Sequence, residues 1–448
     1  MPHGRVPVVS RWVIAALVAV ASILLGAAPA GAHSRLLSSD PAAGARLDHL
    51  PSTVRLHFEE PVLLDGAGID LLSGTTTVAL TAVALDRTGT IVTASVPAAA
   101  PATGSMSLHW SVVSSDGHPE SGDIGVAVGA GAVAPAAPTV AAAPGNPKLV
   151  DDLVTTDRLI GYLGLTVLVG GLAFLAALWP EGADVARSRR LLWATWAAGL
   201  VAAIAGLGLQ AATLRGGDLG AITNPDALAS VLGSPFGRAW GARTVLFLLA
   251  IPVLVALGRG GRAVVRTPWF LAGASAVAVG LLRTPGFVSH ASEGHLGALG
   301  SIADLAHLMG VAVWMGGLVF LVAVVLPRRR TAELRRVVPA FSRLALGAVV
   351  VIVVGGTVMT WELAGSFTAL RTTEWGRLLL LKVGLFTSIL VVARLSKRWV
   401  DERLGLAVAL RGHLVLVRPF VLSVAAETLL AASVLGVASV LVTTSPGR

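Results

Sequence analysis

Two hydrophobic patterns divide the chain. Up to about residue 130, apolar and polar residues alternate over short runs, as in Val54-Arg-Leu-His-Phe58, and Gly, Pro and Asp separate the runs. From Leu159 onward, apolar residues form continuous runs, most of which approach the ~20 residues that a helix needs to cross a bilayer. Alternation predicts half-buried strands, whereas long apolar runs predict membrane-spanning helices. We therefore expect an all-β region followed by an all-α membrane region.

The alternating region is typical of a small sandwich or barrel, because its strands are short and bounded by turn residues. The Ala/Pro/Gly-rich stretch that follows has no period and is interpreted as a linker. The predicted strands are 54–58, 68–72, 76–80, 91–96, 107–113 and 124–128.

The membrane region contains eight predicted spans. Four alternate loops carry 18 Lys and Arg residues, whereas the other loops together with the C-terminus carry 6. Because basic loops stay in the cytoplasm, we expect the β region and the C-terminus to lie outside the cell membrane. The predicted spans are 159–178, 191–213, 240–258, 267–285, 300–326, 344–361, 377–394 and 419–442.

Composition supports a membrane protein and excludes several classes of site. Of the 448 residues, 54% are hydrophobic and 13% are charged, about half the charged fraction of soluble domains. The absence of cysteine excludes disulfides and thiolate metal sites. No Gly-Lys pair exists to form a Walker A loop, and the basic residues punctuate apolar runs, so neither a nucleotide nor a nucleic acid is an expected partner.

The first 32 residues have the pattern of a cleavable signal peptide. A basic start precedes an apolar stretch, and Ala30-Gly31-Ala32 fits a signal peptidase site. An uncleaved anchor helix is the alternative. Cleavage after Ala32 would make His33 the N-terminus, where its α-amine and Nδ1 could chelate one metal ion. Nitrogen ligands of this kind suit Cu(II).

Asp116 and His118 flank a glycine directly after a predicted strand, so one turn could direct both side chains to the same side. Together with His33 they would provide three nitrogens and one carboxylate oxygen, a set that favours tetragonal Cu(II). The alternative is that Asp-Gly-His is an ordinary turn. The coincidence with a histidine at the predicted cleavage point favours the metal site.

Three segments resemble the periplasmic copper-binding protein family CopC: Ala32–Leu36, Phe58–Val62 and Val112–Gly122. The resemblance implies a Greek-key β-sandwich, immunoglobulin-like or cupredoxin-like, that binds Cu(II) through His33, Asp116 and His118. The region has a single methionine, Met106, so a Met-rich Cu(I) site is not expected. Three further histidines match no ligand position and are interpreted as ordinary surface or edge-strand residues: His49, His57 and His109.

The membrane region resembles the copper-resistance membrane protein family CopD. The matching segments are His307–Leu318, Phe341-Ser342, Trp375–Lys382, Arg394 and Glu427. The two resemblances imply a CopC–CopD fusion. We expect a signal peptide at 1–32, a copper-binding sandwich at 33–130, a linker at 131–150 and a membrane domain at 151–448.

Ionisable residues inside spans are candidate functional groups, since burying each of them in lipid is costly. Asp304, His307 and Met315 fall within an arc of about 100° on the fifth span, which predicts a copper path with Met315 as a candidate Cu(I) ligand. The alternative is structural: Asp304 could fix His307 or pair with Arg243. Outside that arc, His290 is placed at the outer mouth of the span. Lys382 and Glu427 could form either an ion pair between two helices or part of the path.

The leading hypothesis is a transporter, without enzymatic activity, that captures Cu(II) outside and carries copper inward. A membrane potential of 100 mV favours inward movement by ~2.3 kcal/mol per charge, and the resembled families are associated with copper uptake and homeostasis. Two alternatives remain open: a membrane-anchored copper buffer without transport, and a membrane oxidoreductase. The sequence does not indicate an oligomeric state.

Overall fold

A computed structural model describes residues 36–59, 61–74, 76–114, 119–134, 146–287, 298–364, 369–409 and 414–441. The N-terminal part is a β-sandwich, and the part from Pro147 onward is helical. Each part is described by itself below.

The sandwich consists of a four-stranded sheet with the order β1-β3-β7-β6 and a five-stranded sheet with the order β2-β9-β8-β4-β5. Its strand pairs are antiparallel, except that β2 runs parallel to β9. The strands are β1 (Leu36–Asp40), β2 (Arg46–Leu47), β3 (Thr53–Phe58), β4 (Val62–Ser73), β5 (Thr76–Ala79), β6 (Thr81–Leu85), β7 (Ile91–Ser95), β8 (Gly104–Ser114) and β9 (Pro119–Val128).

The sandwich core follows from the alternation in the sequence. Every second residue of β3 is buried, and β3 ends at Phe58. The Phe58 ring meets the Trp110 ring of β8 edge-on, with centroids 5.1 Å apart, which joins the two sheets. Gly122 on β9 leaves room for the indole, because a Cβ atom there would lie 2.6 Å from the Trp110 ring. The predicted sandwich is confirmed, although β1, β2 and β6 were not predicted.

Most helices in the described part from Pro147 onward are long and apolar. A π-helical turn, Leu321–Val325, extends α6 and is followed by one more turn, Leu326–Arg328. The helices are α1 (Pro147–Ala177), α2 (Ala186–Leu214), α3 (Pro225–Gly233), α4 (Pro235–Gly260), α5 (Pro268–Arg283), α6 (Ala298–Phe320), α7 (Thr331–Ala364), α8 (Ala369–Thr372), α9 (Glu374–Ala409) and α10 (Leu414–Leu441).

Among the described residues, six helices are long and apolar enough to cross a membrane, so the chain is a multi-pass membrane protein. These six coincide, within one residue at the ends, with or contain the first, second, third, fifth, sixth and seventh predicted spans. The fourth and eighth fall on shorter apolar segments, Pro268–Arg283 and Ala425–Leu441. The count of eight spans therefore stays a prediction.

Small residues let the membrane helices approach closely. A Cβ atom at Gly170 of α1 would overlap the Ala312 carbonyl oxygen of α6, and one at Gly316 would lie 2.7 Å from the Gly170 Cα atom. A Cβ atom at Gly164 would lie 2.8 Å from the backbone nitrogen of Gly199 on α2. Such small-residue contacts are the usual means of packing helices in lipid, where no hydrophobic effect drives association.

Candidate functional site

The predicted outer ligands His33, Asp116 and His118 lie outside the described residues. Their described neighbours can be located from the strand register. Leu36, at the start of β1, pairs with Phe58 at the end of β3, and Ser114, at the end of β8, pairs with Val62 at the start of β4. Because Phe58 and Val62 are only four positions apart, Leu36 and Ser114 lie at the same end of the sandwich.

The other histidines of the sandwich have positions that fit an ordinary surface role. His109 on β8 faces Asp123 on β9, and its Nδ1 atom lies 3.0 Å from Asp123 Oδ1. The side chains of His49 and His57 are exposed. Within the described residues, no group of three or more His, Asp or Glu side chains is arranged to hold a metal ion.

His307 lies on α6, and its ring is fixed by the neighbouring helix α7. The Nδ1 atom lies 2.8 Å from the carbonyl oxygen of Ile352. A carbonyl oxygen can only accept a hydrogen bond, so Nδ1 must carry the proton and donate. In the neutral imidazole the lone pair then belongs to Nε2. Metal-binding histidines commonly have this arrangement, in which a bond from the second nitrogen fixes tautomer and orientation.

Two adjacent glycines of α7 make the approach of His307 possible. A Cβ atom at Gly355 would lie 2.8 Å from the Ala303 carbonyl oxygen and 3.0 Å from the His307 Cβ atom. One at Gly356 would lie 3.3 Å from both Nδ1 and Cε1 of the imidazole. The Gly355-Gly356 pair therefore brings the α7 backbone against the ring.

Asp304 lies one turn before His307 and is 5% exposed. Its Oδ2 atom has no hydrogen-bond partner among the described residues, and a Cβ atom at Gly286 would lie 2.7 Å from it. The charges of Arg283 and Lys382 act on this carboxylate. Asp304 thus presents a buried carboxylate oxygen near the His307 imidazole.

Lys382 on α9 is brought towards this pair by helix packing. The Phe386 ring, one turn after Lys382, meets Trp314 of α6 edge-on at 5.7 Å between centroids. Helical side chains point towards the N-terminus, so Lys382 extends from this contact towards the level of His307. Its charge acts on both Asp304 and His307. The sequence had indicated only Glu427 as a partner for Lys382.

Met315, another predicted path residue, is not brought into this group. Met315 is 1% exposed and belongs to the hydrophobic core. It follows His307 by eight residues, about 12 Å along a helix, so the two cannot bind one ion. Glu427 is buried on α10. His290 lies outside the described residues.

A second buried polar group lies outside the predicted path, and the sequence analysis had considered only Arg243 from it, as a possible partner of Asp304. Arg158 on α1 and Arg243 on α4 are 7% and 5% exposed. The Arg243 Nε atom donates to Thr284 Oγ1 at 2.8 Å. The groups whose charges act on Arg243 are Asp157, Arg158 and Tyr162. The predicted first span begins at 159 and so leaves out Asp157 and Arg158, whereas α1 begins at Pro147.

Three protein family models match the chain. Residues 36–129 match the CopC domain, residues 150–301 match the copper resistance protein D-like N-terminal domain, and residues 335–441 match copper resistance protein D.

Two curated proteins are similar to the chain. The copper transport protein CutJ of Bacillus subtilis is 28% identical over 380 residues, which cover 81% of this chain and 67% of CutJ. Copper resistance protein C of Xanthomonas campestris pv. juglandis is 33% identical over 124 residues, covering 26% of this chain and 94% of that protein.

Two solved structures are also similar. CopC from Methylosinus trichosporium OB3b is 26% identical, with a TM-score of 0.20, covering 21% of this chain and 93% of that one. PcoC, a methionine-rich copper resistance protein from Escherichia coli, is 25% identical, with a TM-score of 0.19. The match covers 22% of this chain and 99% of PcoC.

Proposed function

Because the chain belongs to the copper resistance family, as a fusion of a CopC domain with a CopD membrane domain, we propose that it captures Cu(II) outside the cell membrane and carries copper inward. The family assignment itself supports copper binding and copper transport or resistance. What we propose beyond the family assignment is the oxidation state of the captured copper, the direction of transport and the residues that bind copper.

Capture of Cu(II) is assigned to His33, Asp116 and His118. The support is chemical and topological: the set supplies three nitrogens and one oxygen, and the described neighbours Leu36 and Ser114 lie at one end of the sandwich. This assignment requires processing after Ala32, since only then does His33 carry a free amine.

Electron paramagnetic resonance of Cu(II) bound to the processed full-length protein tests the capture site. We expect nitrogen hyperfine structure that changes when His118→Ala removes one imidazole. His57→Ala is the matched control, because His57 is an exposed histidine on the same sandwich. Spectra that are identical for wild type and His118→Ala would refute the ligand set.

Transfer through the membrane domain is assigned to Asp304 and His307. The observation that carries this assignment is the hydrogen bond from His307 Nδ1 to the Ile352 carbonyl, which directs the lone pair to Nε2. One turn earlier, Asp304 offers a buried carboxylate oxygen with no partner among the described residues. An imidazole nitrogen and a carboxylate oxygen are both established copper ligands.

Lys382 provides a cation for Asp304 when copper is absent. A buried carboxylate left alone in a membrane is costly, and Lys382 is close enough for its charge to act on Asp304. A copper ion that binds Asp304 takes over this neutralising role. Glu427 and His290 stay predicted members of the path.

Copper accumulation in cells tests the transfer path. We expect His307→Ala to reduce uptake to the level of cells without the protein, while membrane abundance and outer Cu(II) binding stay normal. The control His57→Ala should take up copper as wild type does. Uptake that persists in His307→Ala at normal abundance would remove His307 from the route. Equal accumulation with and without the wild-type protein would instead favour an anchored buffer.

A further inference from the structure

The turn after α5 lies against the carboxylate of Asp304. This turn, Pro285–Phe287, contains Gly286. A Cβ atom at Gly286 would lie 2.7 Å from Asp304 Oδ2 and 3.6 Å from Arg283 Nη1. The carboxylate and the Arg283 guanidinium therefore border the same small space. Asp304 is 5% exposed, so water and salt screen charges at this point only weakly.

The Arg283 side chain is bonded to α6 beside this carboxylate. Arg283 Nη1 donates a hydrogen bond to the Ser301 carbonyl oxygen at 3.1 Å. Ser301 precedes Asp304 by three residues, so the two lie on one side of α6. Asp304 Oδ2 itself has no hydrogen-bond partner among the described residues. The bond to Ser301 thus keeps the guanidinium near Asp304, while Oδ2 stays available to an incoming ion.

Helix α4 anchors the residue that follows Arg283. Arg243 Nε donates to Thr284 Oγ1 at 2.8 Å, and Thr284 Oγ1 donates to the Leu281 carbonyl oxygen at 2.7 Å. Thr284 is 1% exposed. Because both bonds act on the position next to Arg283, they limit the movement of the turn and keep Arg283 close to α6.

A permanent positive charge beside a copper ligand opposes copper binding. An arginine side chain stays protonated in proteins, and like charges repel more strongly where the effective dielectric constant is low. An ion pathway needs sites that bind the ion strongly enough for entry and weakly enough for release. The position of Arg283 supplies the weakening contribution at Asp304.

We propose that Arg283 sets the affinity of Asp304 for copper: its charge weakens binding of the ion to the carboxylate, so that the ion is released onward. This rests on the proposed function, since it takes Asp304 as a copper ligand. Arg283 does not bind copper itself. It acts through the Asp304 carboxylate and is therefore a positioning residue. Removal of its charge should strengthen copper binding and slow copper release.

The concentration dependence of copper uptake into proteoliposomes tests the proposal. Initial rates with the processed full-length protein, at one fixed potential, give KM and the maximal rate. Arg283→Gln keeps an amide donor for the Ser301 carbonyl but removes the charge, so KM should fall at least about fivefold and the maximal rate should also fall. Arg283→Lys retains the charge and should have a KM within about twofold of wild type.

Arg238→Gln is the matched control and should behave as wild type. Arg238 is an exposed arginine whose Nη1 also donates to a backbone carbonyl, that of Gly233, at 2.9 Å. Gly286→Ala is a second variant in case Arg283→Gln does not fold. Its Cβ atom would press against Asp304 Oδ2, so KM should rise. Gly273→Ala, whose Cβ atom would meet Val253 at 3.9 Å, should leave uptake unchanged.

A KM for Arg283→Gln equal to or above that of wild type, with uptake still abolished by His307→Ala, would overturn the proposal. A purely structural role of Arg283 would give that result, together with a lower thermal midpoint. An unchanged KM in Gly286→Ala would overturn it as well. Uptake that persists in His307→Ala would instead refute the proposed copper path, and this inference with it.

Discussion

In the β-sandwich, polar side chains alternate outward along the strands, and the predicted copper ligands follow or precede strand ends. In the membrane domain, Asp304, Arg158 and Arg243 are instead buried between helices that glycines bring close together. The sandwich can therefore expose ligands to water with little burial cost, whereas the helical domain must balance each buried charge. The proposed capture and transfer of an ion make different demands, and this difference in burial fits the role proposed for each region.

The largest difference between the two regions is expected from Gly170→Ala, which should destabilise the helical domain alone. Its Cβ atom would overlap the Ala312 carbonyl oxygen and lie 2.9 Å from the Gly316 Cα atom, and overpacking of this kind costs about 1–3 kcal/mol. Thermal unfolding in detergent should show a lower midpoint for the helical domain, with Cu(II) binding by the sandwich unchanged.

Gly347→Ala is the matched control for that experiment. Gly347 lies on α7, and a Cβ atom there would meet nothing within 4 Å. Its substitution should leave the midpoint unchanged or raise it, since alanine favours a helix by up to about 1 kcal/mol. Equal midpoints for the two variants would contradict the role given to close helix packing.

An intermediate effect is expected from one additional alanine ahead of His33. The extra residue converts the terminal amine into an amide, which no longer donates its lone pair in the same way. We expect Cu(II) affinity to fall at least tenfold, or ~1.4 kcal/mol, without change in the helical domain. Competition titration against a chelator of known affinity measures this, and equal affinities would show that the terminal amine is not a ligand.

The smallest effect concerns the turn between β6 and β7. Thr88 Oγ1 donates to Asp86 Oδ2 at 2.6 Å, and the Ile91 amide donates to Oδ1 at 3.0 Å. These bonds lower the pKa of Asp86 from 3.8 to about 2. Because the folded-state pKa is the lower one, the stabilisation is present above about pH 4 and is lost as pH falls through about 2.

Hydrogen exchange of residues 86–91 in the full-length protein, corrected for intrinsic rates, checks this dependence. Protection of the Ile91 amide should decrease between about pH 4 and pH 2 in the wild type. In Asp86→Asn the protection should be nearly independent of pH in that range, whereas Asp48→Asn, at an exposed position, should behave as wild type. A pH-dependent decrease in Asp86→Asn would contradict the assignment.

The sequence predicted the sandwich from short runs bounded by turn residues, among which 54–58 alternates clearly. The sequence did not reveal β6. At Leu80 the chain passes from β5 in one sheet to β6 in the other, and no Gly, Pro or Asn marks this change of sheet. Leu80 is buried there, its amide donates to the Ile69 carbonyl, and Ala82 has a φ of 49°. A turn without turn residues leaves no local signal.

For the membrane domain, apolar runs predicted the helices, but not which charges meet. Asp304 and His307 share a face of α6 by their spacing, which the sequence shows directly. The proximity of Lys382 to Asp304 depends on the packing of α9 against α6 through Trp314 and Phe386, and the bond from His307 to Ile352 depends on α7. Such contacts between distant segments are set by tertiary structure.

Uptake of isotopic copper into proteoliposomes is the most direct test of the central claim. Vesicles containing the processed wild-type protein in one orientation, with the sandwich outside, are given an imposed potential, negative inside. The account predicts copper accumulation that increases with the potential and is abolished by His307→Ala but not by His57→Ala. No accumulation above that of protein-free vesicles, at any potential, would contradict inward transport.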